Sequence, residues 1–322
     1  MRERKPKAKT QKTSDKAEVP APQQQESLPP PEKNDSKQAP ENPKKKEEEE
    51  KEPVKGLRIG ACLAVIVGIV WAVYSNALGG AFCFDDEYAV VLNRDVLPST
   101  SPSHVWQDDF WGNNITSKGS HKSYRPLCVL SFRADRVLGD WWYNTTTEKA
   151  VPAHYSALYH TSNVAHYTVA CALVFAFGLR ATGGDVLASL LGTCLFAAHP
   201  IHTEAVTGIV GRAEILCVIL MVLALEAYVR AARPKATRWH WMLVSMALVV
   251  AATLTKETGL TTVGVLATYD LLYVSEAAIT SFADIFRSFA KKKRSVVQFA
   301  LRFAVILATM FGFMMFRFRI NG

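Results

Sequence analysis

The sequence predicts an all-α polytopic membrane protein that carries a charged, disordered N-terminal tail. From residue 57 onward, long apolar runs follow one another, and about 20 apolar residues are enough to cross a bilayer core. Before residue 57, large apolar side chains are almost absent, and Lys, Glu, Pro and Gln predominate. Such a segment buries too little apolar surface to offset the entropy of ordering. Residues 1–56 are therefore predicted to be disordered.

Charge and cysteine usage exclude two other classes. The formal net charge is +8, but residues 1–56 contain 14 Lys and Arg against 12 Asp and Glu. This mixed charge is typical of a solvated tail and does not indicate a nucleic-acid partner. The six cysteines are scattered without a CxxC pair, so neither a disulfide framework nor a zinc site is indicated.

The apolar runs predict the membrane helices. The first, 57–78, is predicted to be a transmembrane signal anchor, because a long polar segment precedes it and it is too long for a cleaved signal peptide. About six more helices are expected within 156–322. The third run is short for a span, so it either continues through residues 201–210 or is partly re-entrant. The expected runs are 156–179, 186–198, 214–230, 239–255, 258–274 and 296–316.

Basic residues predict the orientation. They precede the first run and lie between runs two and three, four and five, and six and seven. The positive-inside rule places these positions and the N-terminus in the cytosol, so segment 79–155 faces the lumen. The sequons at Asn114 and Asn144 fall in that segment and are expected glycosylation sites. Residues 276–294 have the pattern of an interfacial amphipathic helix, although a plain connecting helix fits equally well.

An acidic cluster follows the first run. Asp85, Asp86 and Glu87 are adjacent, and such proximity raises the pKa of at least one carboxyl. A raised pKa suits a general base, or a partner for a metal or phosphate. The alternative is a solvated cluster that ends the helix.

A second set of polar residues lies in the next lumenal segment. His199, His202 and Glu204 are followed by Arg212, and ionisable residues at membrane depth are functional candidates by default. The two histidines and the glutamate form a nominal metal set. Their spacing is not the helical HExxH pattern, so no dedicated metal site is predicted.

A short cationic segment lies between these two sets. His121, Lys122 and Arg125 are suited to pair with a lipid phosphate, although unspecific headgroup anchoring is an equal alternative. Further along, His160 and Asn163 are one helical turn apart and either line a cavity or serve the structure.

In order, the motifs FDDEYAVVLNRDV, DDFWG, SHKSYRPL, YHTSNVAHY, HPIHTEAVTGIVGRAE and LTKETGLT resemble the TMTC family over about residues 57–275. These are transmembrane and tetratricopeptide-repeat O-mannosyltransferases. The resemblance implies a GT-C glycosyltransferase-like helical bundle in the membrane of the endoplasmic reticulum. It also implies transfer of mannose from dolichyl-phosphate mannose to Ser or Thr of secretory or cell-surface proteins, chiefly cadherin-type domains.

The resemblance also implies roles for particular residues. The acidic pair that is catalytic in the family maps to Asp85 and Asp86, one of which would deprotonate the acceptor hydroxyl. Glu204 would be a second acid. No tightly bound cofactor is expected, and a need for a divalent cation stays open. The residues expected to bind substrate are His121, Lys122, Arg125, His199, His202 and Arg212.

The chain also departs from the family pattern. Family members continue through more spans into a lumenal repeat array, whereas no 34-residue repeat occurs here. The expectation is therefore the N-terminal membrane part of such a protein, truncated at its C-terminus. A catalytically incomplete membrane scaffold is the main alternative. A transporter is less well supported, because Glu226 is the only acid clearly inside a predicted span.

Overall fold

The computed structural model describes residues 43–145, 149–274 and 293–321, and its regular secondary structure there is helical. The all-α prediction is thus confirmed. Short 3-10 or π turns join several of the helices. The helices are α1 Pro43–Val73, α2 Pro126–Tyr143, α3 Ser156–Ala181, α4 Val186–Ala198, α5 Thr203–Thr207, α6 Arg212–Ala231, α7 Trp239–Thr255, α8 Thr262–Tyr269 and α9 Lys293–Asn321.

Most helices coincide with the apolar runs. The predicted runs 186–198 and 239–255 match α4 and α7 at both ends. The helices α3, α6 and α9 extend a few residues beyond the predicted runs 156–179, 214–230 and 296–316. The run at 258–274 is broken into the 3-10 turn Glu257–Thr261, then α8, then the π turn Asp270–Val274. Gly259 explains the tight first turn, because a side chain there would collide with the backbone of α7.

The first helix differs from its prediction. It begins at Pro43, well before the expected start at residue 57, and ends at Val73, followed by the 3-10 turn Ser75–Gly79. The Lys and Glu run after Pro43 consists of strong helix formers, and proline is favoured at the first helical position. The rest of the expected tail, residues 1–42, lies outside the described residues.

Fewer membrane crossings are supported than the seven predicted. Among the described residues, Ala153–Ala181 and Val297–Asn321 are long and apolar enough to cross a bilayer alone. Helix α4 and the segment Pro200–Thr207 meet at a bend of 49° and make a third candidate, either a broken span or a re-entrant pair. The apolar stretches Arg58–Val73 and α7 are shorter, and α6 contains four charged residues. The amphipathic pattern at 276–294 lies almost entirely outside the described residues.

The helices pack in two groups. One is formed by α1, α3 and α4 around side chains such as Ile66, Val70 and Phe175. The other is formed by α6, α7, α8 and α9 around Tyr228 and Met242. The sequence places no cysteine pair at disulfide spacing, and all six cysteines are free thiols.

Two acidic residues link α6 to its neighbours. Glu226, the one acid predicted inside a span, accepts hydrogen bonds of 2.9 and 2.7 Å from Arg180 of α3. Asp270 accepts a 2.8 Å bond from Arg302 of α9, and Tyr228 of α6 also donates to it. Each acid has its charge compensated, which gives these residues a structural explanation.

The segment between α1 and α3, residues 79–155, is called the first loop below, and its described parts, 79–145 and 149–155, are folded. Its core packs Phe110 and Phe132 against Tyr159 of α3. Asp109 organises one turn, since its carboxylate accepts bonds from the backbone N–H of Trp111 and from the Ser120 hydroxyl. These bonds fix the conformation of this turn.

Candidate active site

A cavity of about 580 Å³ opens between the first loop and the start of α6. This volume is in the range of small-molecule sites. Its lining is unusually rich in charged side chains for a membrane protein. The ionisable lining residues are Cys83, Asp85, Asp86, Arg125, His202, Glu204, Glu214 and Lys256.

The acidic pair lies on a tight turn at one wall. Phe84 adopts a left-handed backbone conformation (φ 48°), and the backbone N–H of Asp86 donates to the carbonyl of Cys83 at 3.0 Å. This turn directs the two neighbouring carboxylates into different surroundings. Asp85 is exposed at the cavity, whereas Asp86 is only 2% exposed.

Asp86 connects the two walls of the cavity. One carboxylate oxygen accepts a 3.0 Å hydrogen bond from the backbone N–H of Val210, and the other accepts a 3.2 Å bond from Cys83. Burial raises the pKa of Asp86, the two backbone N–H groups and His160 oppose that shift, and the charge of Asp85 adds to it. The net direction is upward from the ordinary value.

The second wall runs from residue 199 to 214. Pro200–His202 forms a 3-10 turn, α5 follows, and the chain then turns at Gly208 and Gly211 into α6. A Cβ at Gly211 would collide with the backbone of Ala205, so only glycine fits this approach. Glu204 is exposed at the cavity, and His202 packs its ring 4.3 Å from the ring of Phe196.

Two cations face the acidic residues. Arg125 forms an ion pair of 3.0 Å with Glu257, and Lys256 forms one with Glu214, which also lines the cavity. Burial, with Arg125 as the next cause, lowers the pKa of Lys256, whereas Glu257 and Glu204 oppose that shift. The cavity therefore holds adjacent negative and positive regions, an arrangement that suits a substrate with an anionic and a nucleophilic part.

His160 of α3 lies behind the acidic turn. It is 3% exposed, and neither ring nitrogen has a hydrogen-bond partner in the described part of the chain. Its effect on the pKa of Asp86 shows that the imidazole and this carboxyl are within electrostatic range. Of the predicted pair, Asn163 is structural, since its amide donates to the Gly208 carbonyl at 2.9 Å.

Four of the residues expected to bind substrate lie outside this cavity. Lys122 donates to the carbonyls of Ile115 and of Asn321 in α9, and His121 packs beside Trp111. His199 is exposed and caps the following turn. None of these three side chains lines the cavity with Arg125 and His202.

Arg212 is the fourth, and it is completely buried. Its guanidinium lies 2.6 Å from a carboxylate oxygen of Asp135 and donates to the Asn163 side chain at 2.7 Å and the Tyr159 carbonyl at 3.0 Å. It also stacks over the Phe132 ring at 4.9 Å. Every one of these partners is protein, so its role here is to hold α6 against α2 and α3.

Sequence reasoning missed Lys256 and Glu214 as cavity residues. The signal for Lys256 was present, because Lys256-Glu257 is the charged pair that interrupts two apolar runs. Within residues 43–145, 149–274 and 293–321, no group of three His, Cys, Asp or Glu side chains is arranged to hold a metal ion.

Comparison with known proteins gives a consistent class. Protein O-mannosyl-transferase tmtc2 of Xenopus laevis is 36% identical over 219 residues, or 66% of this chain and 24% of that protein. TMTC3 of Homo sapiens is 35% identical over 236 residues, or 73% of this chain and 24% of that protein. TMTC4 of Mus musculus is 34% identical over 234 residues, or 67% of this chain and 30% of that protein. The chain is thus a relative of protein mannosyltransferases.

Within that class, the matched region belongs to the TMTC family. The chain spans about a quarter of the length of these relatives. No family model matches the chain, and no solved structure matches it.

Proposed function

We propose that this chain forms the catalytic cavity of a protein O-mannosyltransferase of the endoplasmic reticulum. The donor is dolichyl-phosphate mannose, and the acceptor is a Ser or Thr hydroxyl of a secretory or cell-surface protein, with cadherin-type domains the expected acceptors. The relatives are named protein O-mannosyl-transferases, and two candidate membrane spans fit a lipid-linked donor. The proposed orientation has the N-terminus in the cytosol and the cavity in the lumen, within a GT-C-like bundle.

One observation carries the proposal: the acidic pair of the first loop lines the same cavity as Arg125 and Lys256. Inverting transfer needs a base on one side of the anomeric carbon and charge stabilisation of the leaving phosphate on the other. The two cations come from distant parts of the sequence. Their convergence on the acidic turn is explained by a shared substrate.

Asp85 is the proposed general base. Its carboxylate is exposed at the cavity, and a base must reach the proton that it removes. The acceptor oxygen attacks the anomeric carbon, its proton passes to Asp85, and the bond from that carbon to the phosphate oxygen breaks. The leaving group is dolichyl phosphate, which keeps the electron pair. Asp86, which is bonded to Val210 and Cys83, positions the turn.

Arg125 and Lys256 are the proposed phosphate partners. An anionic phosphate would replace Glu214 as the counter-ion of Lys256, while Glu257 keeps Arg125 oriented. Lys122 and Arg212 are not part of this assignment, because their hydrogen-bond partners are protein groups outside the cavity. Glu204 and His202, on the opposite rim, are proposed to orient the acceptor or the sugar.

The decisive experiment compares two carboxylate substitutions two positions apart. The full chain is reconstituted in liposomes with radiolabelled dolichyl-phosphate mannose and a purified cadherin domain. Asp85→Asn removes the proposed base and should lower transfer by about 100-fold or more. Glu87→Gln removes the same charge from an exposed residue that does not line the cavity, so it serves as the matched control.

The outcomes separate the alternatives. Transfer by the wild type and by Glu87→Gln, with loss in Asp85→Asn, supports the assignment. Equal transfer by Asp85→Asn and wild type would show that Asp85 is not the general base. A wild-type chain that binds the labelled donor but never transfers the sugar would favour the alternative, a catalytically incomplete membrane scaffold.

A further inference from the structure

We propose that α2 is an interfacial membrane helix whose outer face contacts lipid at the boundary between headgroups and acyl chains. This surface is distinct from the catalytic cavity and does not depend on the proposed reaction. The argument rests on the distribution of side chains around α2 and on its connection to α3.

The outer face of α2 is apolar. Val137, Leu138, Trp141 and Trp142 are 51%, 44%, 74% and 70% exposed. They recur at the spacing that places side chains on one side of a helix. A contiguous exposed apolar surface of this kind marks an interaction site. We refer to these four residues as the outer face.

The charged residues of α2 point the opposite way. Arg136 is fully buried, donates to Asp140 at 2.8 Å and to the carbonyl of Ala150, and packs against the Tyr155 ring. Asp135 is paired with the buried Arg212. A helix in water has the reverse distribution, with charges outside and apolar residues inside. The inverted distribution indicates that the outer face does not meet water.

The C-terminal end of α2 is attached to a membrane span. Tyr143 stacks on the Tyr155 ring with centroids 5.0 Å apart, and the Tyr155 hydroxyl donates to Asp140 at 2.9 Å. Tyr155 lies at the start of the candidate span Ala153–Ala181. The two tryptophans therefore lie beside the point where the chain enters the bilayer, the level at which tryptophan and tyrosine are enriched.

Lipid fits the outer face better than a protein partner does. Protein interfaces combine an apolar centre with a polar rim, but the charged side chains of α2 are already used inside the protein. Tryptophan has a large apolar ring and one N–H donor, which matches acyl chains on one side and headgroups on the other. The surface is also continuous with the span that follows it.

The test uses a photoreactive benzoylphenylalanine at single positions of the full chain in phosphatidylcholine nanodiscs. Trp142 and Leu138 are replaced one at a time, and intact mass spectrometry after irradiation detects a phospholipid adduct. Val169, 50% exposed in the middle of the candidate span, gives the positive reference. Lys118, exposed on the first loop, gives the negative reference.

The expected adduct yield at Leu138 and Trp142 is close to that at Val169 and at least about five-fold above that at Lys118. Yields at both positions no higher than at Lys118 would overturn the proposal. A cross-linked dimer in place of lipid adducts would also overturn it, because a second copy would then cover the face. Two positions are used so that the result does not depend on one variant.

Discussion

The burial of Arg212 leads to a prediction that distinguishes a role in stabilising the fold from a role in substrate binding. The sequence assigns this residue to the substrate, whereas its guanidinium contacts Asp135, Asn163, Tyr159 and the Ser131 carbonyl inside the protein. Replacing it by methionine keeps much of the volume but removes the charge and all the donors. Asp135 is then left without its counter-ion.

The magnitude follows from the burial. Removing one member of a buried, hydrogen-bonded ion pair costs about 3–5 kcal/mol. Arg230→Met, in the same helix, is the matched control: Arg230 is half-exposed, and it lies 3.7 Å from Glu226, which keeps its partner Arg180. An exposed pair contributes about 1 kcal/mol or less.

The assay is thermal unfolding of purified variants in nanodiscs, followed by tryptophan fluorescence. Arg212→Met should lower the midpoint by on the order of 10 °C, with a much smaller shift for Arg230→Met. Adding Asp135→Asn to Arg212→Met should recover part of the loss, because the stranded charge is removed. Equal midpoints for the two methionine variants would refute the structural assignment. If Arg212→Met kept normal stability but no longer bound the donor, Arg212 would instead be assigned to substrate binding.

The acidic turn, the glycine before α6 and the two sequons each give a further test. His160→Gln removes one effect that lowers the pKa of Asp86, so this pKa should rise further in an NMR titration of the Asp86 carboxyl carbon; an unchanged titration would contradict the coupling. Gly211→Ala forces a methyl group against the backbone and should cost about 1–3 kcal/mol in thermal unfolding, whereas no loss would contradict the close approach. The sequence predicts glycans at both Asn114 and Asn144, but the lipid contact proposed for the outer face would block Asn144, which directly follows that face. In microsomes a glycan is therefore expected on the exposed Asn114 alone, and an endoglycosidase-sensitive gel shift that persists in Asn114→Gln would contradict this.

The helices that coincide with apolar runs could be predicted because they are encoded locally, whereas α2 and α5 coincide with no predicted run. An apolar run between polar residues sets where a membrane helix begins and ends, and α4 and α7 follow their runs at both ends. The first helix was predicted too short, since Lys and Glu at its start read equally as a solvated tail and as good helix formers. Of the seven predicted crossings, two, or three if the bent pair is one span, are long and apolar enough to cross a bilayer within the described residues. The number of crossings stays a prediction, because apolar character alone does not distinguish a span from a shorter buried helix.

The sequence also suggested residues for the site. Asp85, Asp86, Arg125, His202 and Glu204 all line one cavity, while their roles stay predictions. What the sequence lacks is the direction in which each side chain points.

Two pairs of residues show that the direction of a side chain decides whether it lines the cavity. Lys122 and Arg125 are three positions apart, yet one reaches α9 and the other the cavity. Arg212 and Glu214 share the first turn of α6, yet only Glu214 lines the cavity. Long-range packing, which no local pattern records, turns Lys122 and Arg212 away.

Contacts of the segment that contains Lys122 and Arg125 also connect α9 to the site. Arg317 of α9 donates to the Lys122 carbonyl at 2.8 Å and lies over the Tyr124 ring at 5.3 Å. The backbone N–H of Tyr124 in turn donates to Glu257, the carboxylate that orients Arg125. The cationic segment is thus held between α9 and the turn after α7. Arg125 pairs with Glu257 and lies over the Phe110 ring at 5.0 Å. Since Glu257 is linked to α9 through Tyr124, the position of one proposed phosphate partner depends in part on a helix that contributes no residue to the cavity lining.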